Sequence, residues 1–408
     1  MVRDGTDRAA LAADIPAAAA LLDGVVRRTP VLASRALSDL VGGPVWVKCE
    51  NLQLAGSFKI RGAYVRISRL SAEQRAAGVV AASAGNHAQG VALAGQLLGT
   101  PVTVFMPVGA ALPKVDATRG YGAQVRLVGA TLDDSITAAR EHAAGNRQVF
   151  LHPFDHSDVI AGQGTVGLEI LEQCPEVATI VAGTGGGGLL AGIATVVADR
   201  RPDVTVVGVQ AAGAAAFPPS LDAGRPLALA DMATMADGIA VGRPGDLTLP
   251  LVAGLVDQVV TVSEEALSRA LLLLLERGKL LVEPAGAAAV AAIAERPADF
   301  RPPVVAVLSG GNLDPVLLLR VIRHGLTAAG RYLALRARIP DRPGGLAALL
   351  AALAGAGANV LTVEHVRTEP ALRLDEVEVA LRVETRGVEH GRQLLDELRA
   401  GGFHITDG

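Results

Sequence analysis

Lys59 stands between two large apolar residues, Phe58 and Ile60, directly after a Gly56-Ser57 turn. Apolar neighbours withdraw water from an amine, which penalises its charged form and lowers its pKa. A free amine is what Schiff-base chemistry requires. Gly183-Thr184-Gly185-Gly186-Gly187-Gly188 follows a strand signal and precedes a helical one. Consecutive glycines let the backbone come close to a ligand, and the exposed amides of a helix N-terminus attract phosphate. Residues 83–90, Ser-Ala-Gly-Asn-His-Ala-Gln-Gly, offer hydroxyl, amide and imidazole ahead of another helix. That set suits a carboxylate, although Ser83 or Asn86 simply capping the helix accounts for it too. Ser309-Gly310-Gly311-Asn312 sets a hydroxyl beside flexible backbone, and no Gly-x-Ser-x-Gly surrounds it, which argues against a hydrolase nucleophile.

The glycine run also matches the Gly-x-Gly-x-x-Gly pattern of dinucleotide sites, which need an acidic residue at the end of the next strand. That strand, 204–209, runs into Gln210-Ala211-Ala212 with no carboxylate, so the phosphate cradle is the better fit. A plain strand–helix turn would not need four glycines in a row, each of which costs backbone entropy. His152-Pro153-Phe154-Asp155-His156 gathers metal-ligand types, but without cysteine and without the spacing of a structural zinc site. No metal is expected.

The elements that position these groups follow an alternating pattern. Apolar runs at 44–49, 79–82, 102–106, 125–128, 149–152, 179–182, 204–209, 259–262 and 304–308 read as strands. Helical stretches of roughly ten residues separate many of them, which implies parallel sheets with helices on both faces. Ligands in such sheets sit beyond the carboxyl ends of strands. An N-terminal helix is expected over 15–26, ended by Thr29-Pro30. From residue 332 the order becomes strand, helix, strand, strand, helix, strand, a βαββαβ unit of the ferredoxin-like kind. The expected division is a catalytic domain over 1–326, with a small lobe at roughly 50–155, and a second domain over 332–408.

Hydrophobic residues make up 50% of the 408 and aromatics only 3%, so the cores must be built from Ala, Val and Leu. A net charge of -4, with both signs spread along the chain, leaves no footprint for nucleic acid or an anionic membrane. Two cysteines, Cys49 and Cys174, make no disulfide framework, and a reducing, cytoplasmic setting follows. The apolar run at 17–22 stops at Asp23, short of a signal peptide, and the leucines at 271–275 are too few to span a bilayer.

Taken together, the four spaced segments resemble the threonine dehydratase family of pyridoxal-phosphate enzymes, with the two-lobed α/β fold of the tryptophan-synthase-β-like type. The residues 309–312 and the stretches His152-Pro153-Phe154-Asp155 and Ala161-Gly162-Gln163-Gly164-Thr165 are similar to family segments as well. The resemblance implies that Lys59 carries pyridoxal 5'-phosphate as a Schiff base and later removes the substrate α-proton. It implies that Gly185, Gly186, Gly187, Gly188 and Leu189 hold the phosphate, Phe58 packs on the ring and Asn86 bonds the ring oxygen. Ser83, Gly85, Asn86 and His87 would hold the substrate carboxylate. Ser309 would face the ring nitrogen, where a hydroxyl, unlike a carboxylate, does not favour the protonated ring. The substrates implied are L-threonine, giving 2-oxobutanoate and ammonia, and L-serine, giving pyruvate; a serine dehydratase or racemase on the same scaffold, or a sensing protein without chemistry, are the alternatives. Two departures stand out: Ala55 replaces a threonine of many relatives, and Gln210-Ala211-Ala212-Gly213 lacks the acid some relatives use for a divalent cation. The C-terminal unit resembles an ACT domain, with Asp341, Pro343, Gly344 and Asn359 at the positions where such domains turn and bind. That resemblance implies an amino-acid effector and a homo-oligomer, a dimer or tetramer; a dimerisation module without a ligand is the plainer alternative.

Overall fold

The computed structural model describes residues 8–366 and 375–407. The chain divides into two compact units, Met1–Asp314 and Pro315–Gly408. The helix Pro315–Ala328, expected from sequence to close the first domain, falls in the second unit and packs on its first strand.

The strands of the first unit are β1 (Val31–Ala33), β2 (Val45–Lys48), β3 (Val79–Ala82), β4 (Val102–Met106) and β5 (Gln124–Leu127). They continue with β6 (Val149–Phe150), β7 (Thr179–Gly183), β8 (Thr205–Ala211), β9 (Gln258–Val262) and β10 (Val304–Val307). They form two sheets. One has six strands in the order β1-β2-β10-β7-β8-β9, parallel throughout except for the antiparallel edge β1. The other is the parallel set β5-β4-β3-β6. Strands β3, β4, β7 and β10 are buried along their whole length, as strands of mostly apolar residues covered on both faces should be.

One helix joins the two lobes. Ser157–Gln173 packs against the helices Arg8–Leu22, Lys59–Ser68 and Gly188–Arg200. A Cβ on Gly162 would lie 2.6 Å from Gly62 Cα, and one on Gly192 would lie 2.6 Å from Gly164 N. Backbone therefore meets backbone at both crossings, and any side chain there would push away the helix that begins with Lys59 or the helix that begins with Gly188. The 161–165 stretch is a packing device.

The Lys59 helix is also pinned by buried charge. Arg61, 1% exposed, donates to both oxygens of Glu50 at 2.8 and 2.9 Å and to Glu169 at 2.7 Å. Lys48 adds bonds to Glu169, to Gln173 Oε1 at 2.8 Å and to the Thr29 carbonyl at 2.8 Å. Burial alone would push the Glu50 carboxyl up, but Arg61, Lys48 and the Thr29 hydroxyl outweigh it and hold the group below its usual range.

Two expectations about helices need correction. The N-terminal helix runs Arg8–Leu22, not 15–26, because Gly24 turns left-handed at φ 68° and ends it before Thr29-Pro30 is reached. The segment 83–90 is not loop throughout: a helix starts at Asn86 and continues to Leu98.

The second unit holds β11 (Tyr332–Pro340), β12 (Asn359–Val366), β13 (Glu376–Glu384) and β14 (His404–Asp407) in an antiparallel sheet of order β12-β13-β11-β14. The helices Gly345–Gly355 and Val388–Ala400 complete the βαββαβ order, and Leu349, Leu353, Leu394 and Leu398 seat them on the sheet. Among the described residues no helix is long and apolar enough to cross a membrane.

Candidate active site

Lys59 opens its helix, and the backbone just ahead of it pairs with the segment that follows β10. Ser57 and Gly310 form an antiparallel bridge, Phe58 N donates to Ser309 O at 3.2 Å, and Gly311 N donates to Gly56 O at 2.8 Å. Lys59 and Ser309, far apart in sequence, are thus carried on two strips of backbone bonded to each other. The Lys59 ammonium is partly buried, donates to the Pro153 carbonyl at 2.9 Å and lies 5.2 Å from the centre of the Phe58 ring. Burial lowers its pKa to about 8, against the opposing pull of Glu283. The neutral form of the amine is therefore a minor but accessible fraction at physiological pH, far larger than for an exposed lysine.

The glycine run closes β7 and starts the helix Gly188–Arg200, to which no side chain contributes a cap. Its first amides remain for a ligand, with the positive end of the helix dipole behind them. The surroundings explain why each position is glycine. Gly187 sits at φ 96°, where a Cβ would also meet the Phe217 ring at 2.7 Å, and a Cβ on Gly186 would fall 2.4 Å from the Phe154 ring. Phe154 and its neighbours are the outer wall of this loop. Asp155 accepts from the backbone amides of Asp246, Leu247 and Thr248 at 2.9, 2.9 and 3.2 Å, capping the helix Thr248–Leu255. Thr248 Oγ1 in turn donates to Gly186 O at 2.6 Å. His152 Nδ1 accepts from Asp155 N at 2.9 Å, and His156 Nδ1 from Asp158 N at 3.1 Å. The histidines of this segment are occupied with backbone amides. Gln210 is occupied in the same way, its Oε1 accepting from Phe217 N at 2.8 Å.

Residues 83–87 form the strand-to-helix turn after β3. Ser83 Oγ accepts from Gly85 N at 3.1 Å, and the helix begins at Asn86 without a side-chain cap, so its leading amides are open. His87 is buried, and its Nε2–H donates to the Leu151 carbonyl at 3.1 Å. Burial and the Lys59 charge push its pKa down to about 3, so the ring is neutral and its other nitrogen is an acceptor. His87 is left with its main-chain amide as the group that can face a carboxylate. His152 is likewise neutral, its pKa lowered to about 4 by burial. Gly90 brings this helix onto Lys59: a Cβ there would lie 3.0 Å from the Lys59 carbonyl carbon.

Lys59, Phe58, Ser309, Asn86 and the turn at 83–87 therefore converge, with the glycine run reached through Phe154 and Pro153. Asn86 Oδ1 accepts from Asn312 Nδ2 at 2.9 Å, and Asn86 Nδ2 donates to Glu283 at 2.5 Å. Glu283 was not singled out in the sequence; its signal is an acid placed between Val282 and Pro284 in an otherwise apolar stretch. Asp155 carries no role in the sequence reading, and Arg61, next to Ile60, gives no sign there of its buried ion pair with Glu50.

In the second unit Asp341, Pro343 and Gly344 line one concavity together with His365 and Val377. Asn359 does not line it; it lies exposed at the start of β12, with its side chain directed to Glu384 Oε2 at 3.5 Å.

Pyridoxal phosphate fits this arrangement: a desolvated primary amine, an uncapped glycine cradle that no Cβ could enter, and a buried hydroxyl on the paired strip. Residues 22–310 match the family model described as pyridoxal-phosphate dependent enzyme, and residues 334–400 match the ACT domain. The chain is 46% identical over 381 residues to L-threonine ammonia-lyase of Geobacter sulfurreducens, covering 93% of this chain and 95% of that one. Among solved structures it is similar to the processed form of threonine deaminase isoform 2 from Solanum lycopersicum, with TM-score 0.75 and 37% identity over 78% of this chain and 89% of that one. It is also similar to maize serine racemase, with TM-score 0.72 and 35% identity over 78% of this chain and 98% of that one. The chain belongs to the pyridoxal-phosphate dependent enzyme family and carries an ACT domain at its C-terminal end.

Proposed function

We propose that this chain is an L-threonine ammonia-lyase, converting L-threonine to 2-oxobutanoate and ammonia, and L-serine to pyruvate and ammonia. The observation that carries the proposal is Lys59: an amine with its pKa lowered to about 8, held on the strip that pairs with Ser309. Its near-full-length likeness to an L-threonine ammonia-lyase supports the choice of substrate.

Pyridoxal phosphate, when bound, supplies an aldehyde for the substrate amine and a conjugated ring that accepts the electron pair left at Cα. The glycines 185–188 and Leu189 would hold its phosphate through backbone amides. Phe58 would pack on the ring, Asn86 would donate to the ring oxygen, and the Ser309 hydroxyl would meet the ring nitrogen. Ser83 and the amides at Gly85, Asn86 and His87 would fix the substrate carboxylate, orienting Cα towards Lys59. Lys59 Nζ in its neutral form would take the α-proton, and burial makes that form far more accessible near neutral pH than it is for an exposed lysine. The neutral His87 and His152 add no positive charge to compete with Lys59 for that proton.

The domain division that goes with this function is a catalytic part ending near Asp314, not at 326, its small lobe at roughly 50–155, and a regulatory ACT unit over 332–408 preceded by the helix Pro315–Ala328, in a cytoplasmic homo-oligomer. An amino-acid effector would bind at the concavity lined by Asp341, Pro343 and Gly344. Titrating isoleucine and valine while recording the threonine saturation curve tests this; no shift with any amino acid reduces the second unit to a structural part. The serine racemase likeness supports a second activity on the same scaffold. Incubating the purified, cofactor-loaded protein with L-threonine and with L-serine, and measuring keto acid and D-serine, separates the two. Keto acid from threonine is expected; D-serine without keto acid would transfer the chain to the racemases.

A further inference from the structure

Glu283 has no part in the chemistry above, yet it lies at the centre of the site. It occupies the capping position ahead of the helix Pro284–Glu295 but makes no side-chain bond to that helix. Its carboxyl, with the residue only 4% exposed, turns instead to Asn86 Nδ2 at 2.5 Å. The direction of that bond is dictated from the far end of a short chain. The Ala55 carbonyl can only accept, and Asn312 Nδ2 donates to it at 2.7 Å. The same Asn312 nitrogen donates its second hydrogen to Asn86 Oδ1 at 2.9 Å. The Asn86 oxygen is thereby used, and its NH₂ group must face Glu283. One of its two hydrogens goes to the carboxyl; the other is the donor left for a bound ring.

Glu283 also buttresses the Ser309 strip. Its backbone amide donates to Gly310 O at 3.0 Å, and a Cβ on Gly310 would fall 2.2 Å from Glu283 Oε1. The charged groups around it are Asp237, Lys114 and Lys59. Burial first and Asp237 second push the carboxyl up to about 8, while the Asn86 bond, Lys114 and Lys59 pull the other way. In either protonation state a carboxyl oxygen accepts the Asn86 hydrogen.

We propose that Glu283 is a positioning residue that, with Asn312, locks the Asn86 amide so that its second N–H is aimed at the cofactor. The proposal rests on the pyridoxal-phosphate site assigned above, but its test needs no amino-acid substrate. Apoprotein is titrated with pyridoxal phosphate, and both the cofactor Kd and the pH titration of the visible cofactor–lysine band are recorded. Glu283→Ala, which leaves the Asn86 amide without its acceptor, raises the Kd about tenfold and shifts the band's titration. Glu283→Gln, whose amide oxygen can accept the same hydrogen, restores the Kd to within about twofold of the wild type. Asn312→Ala, which frees the amide from the other end, gives the same rise in Kd and serves if Glu283→Ala does not fold. A wild-type Kd and titration in both alanine variants would overturn the proposal, and so would a loss in Glu283→Ala that Glu283→Gln does not repair. Failure of the wild type itself to take up cofactor would count against the site assignment and not against Glu283.

Discussion

Lys48 and Lys59 lie in one short stretch of chain, and burial lowers the pKa of both. Their surroundings give them opposite uses. Lys48 Nζ spends its three hydrogens on Glu169, Gln173 and the Thr29 carbonyl, beside the Arg61–Glu50 pair. Among the described residues Lys59 Nζ makes one hydrogen bond, to a carbonyl, and the imidazoles near it are neutral. The first region is a closed network, in which each buried charge is answered by another and nothing is left to react. The second keeps titratable groups short of partners, where a small change of environment moves a proton. A buried charge with full partners builds; one without them is available for chemistry.

Lys59→Ala should test the contrast at its largest. Loss of the amine removes the proton-transfer group and lowers keto-acid formation by on the order of 10⁴-fold, with the fold intact by circular dichroism. Arg61→Ala acts on the other region. It leaves Glu50 buried without its guanidinium and costs roughly 3–5 kcal/mol in a denaturant titration of the apoprotein. Comparable loss of stability from both variants would erase the distinction between the regions. Gly187→Ala should be milder, roughly 1–3 kcal/mol of strain from forcing a side chain to φ 96° against Phe217, read as weaker cofactor binding.

The finest prediction concerns pH. In the unfolded chain Lys59 holds its proton to about 10.5, whereas the folded site releases it at about 8. Between those values the unfolded state binds more protons, so the apoprotein gains stability as pH rises through that window. Below about 8 the burial penalty on the charged amine is present in full. Lys59→Met should flatten the slope above pH 8. Glu283, raised from 4.5 to about 8, acts in the lower window with the opposite sign, stability falling as pH climbs towards 8.

Much of the first unit was legible because its central strands, such as β3 and β10, are short apolar runs bounded by polar residues, glycine or proline. The helices that carry the site were harder. Lys59–Ser68 sets Ile60, Ala63, Tyr64 and Ile67 at helical spacing, but Gly62 and three cationic residues obscure it, and the helix is held in place where Gly62 meets Gly162 and Arg61 meets Glu50. Pro284–Glu295 is buried on every side, so no amphipathic stripe marks it. The segments 83–90, 185–188 and 309–312 stood out because they set polar groups or glycine where apolar runs end. Glu283 and Glu50 did not, since a single buried acid has meaning only beside a partner that lies distant in sequence. Asn359 was placed with the effector residues by resemblance, but it opens β12, whereas that strand reaches the concavity near its other end, at His365.

The most direct test of the contrast is to trap the cofactor on its lysine. Apoprotein is incubated with pyridoxal phosphate, reduced with borohydride, digested and mapped by mass spectrometry. The account predicts the pyridoxyl label on Lys59 and none on Lys48. A label on Lys48, or an unlabelled Lys59 peptide in a protein that forms 2-oxobutanoate from threonine, would contradict it.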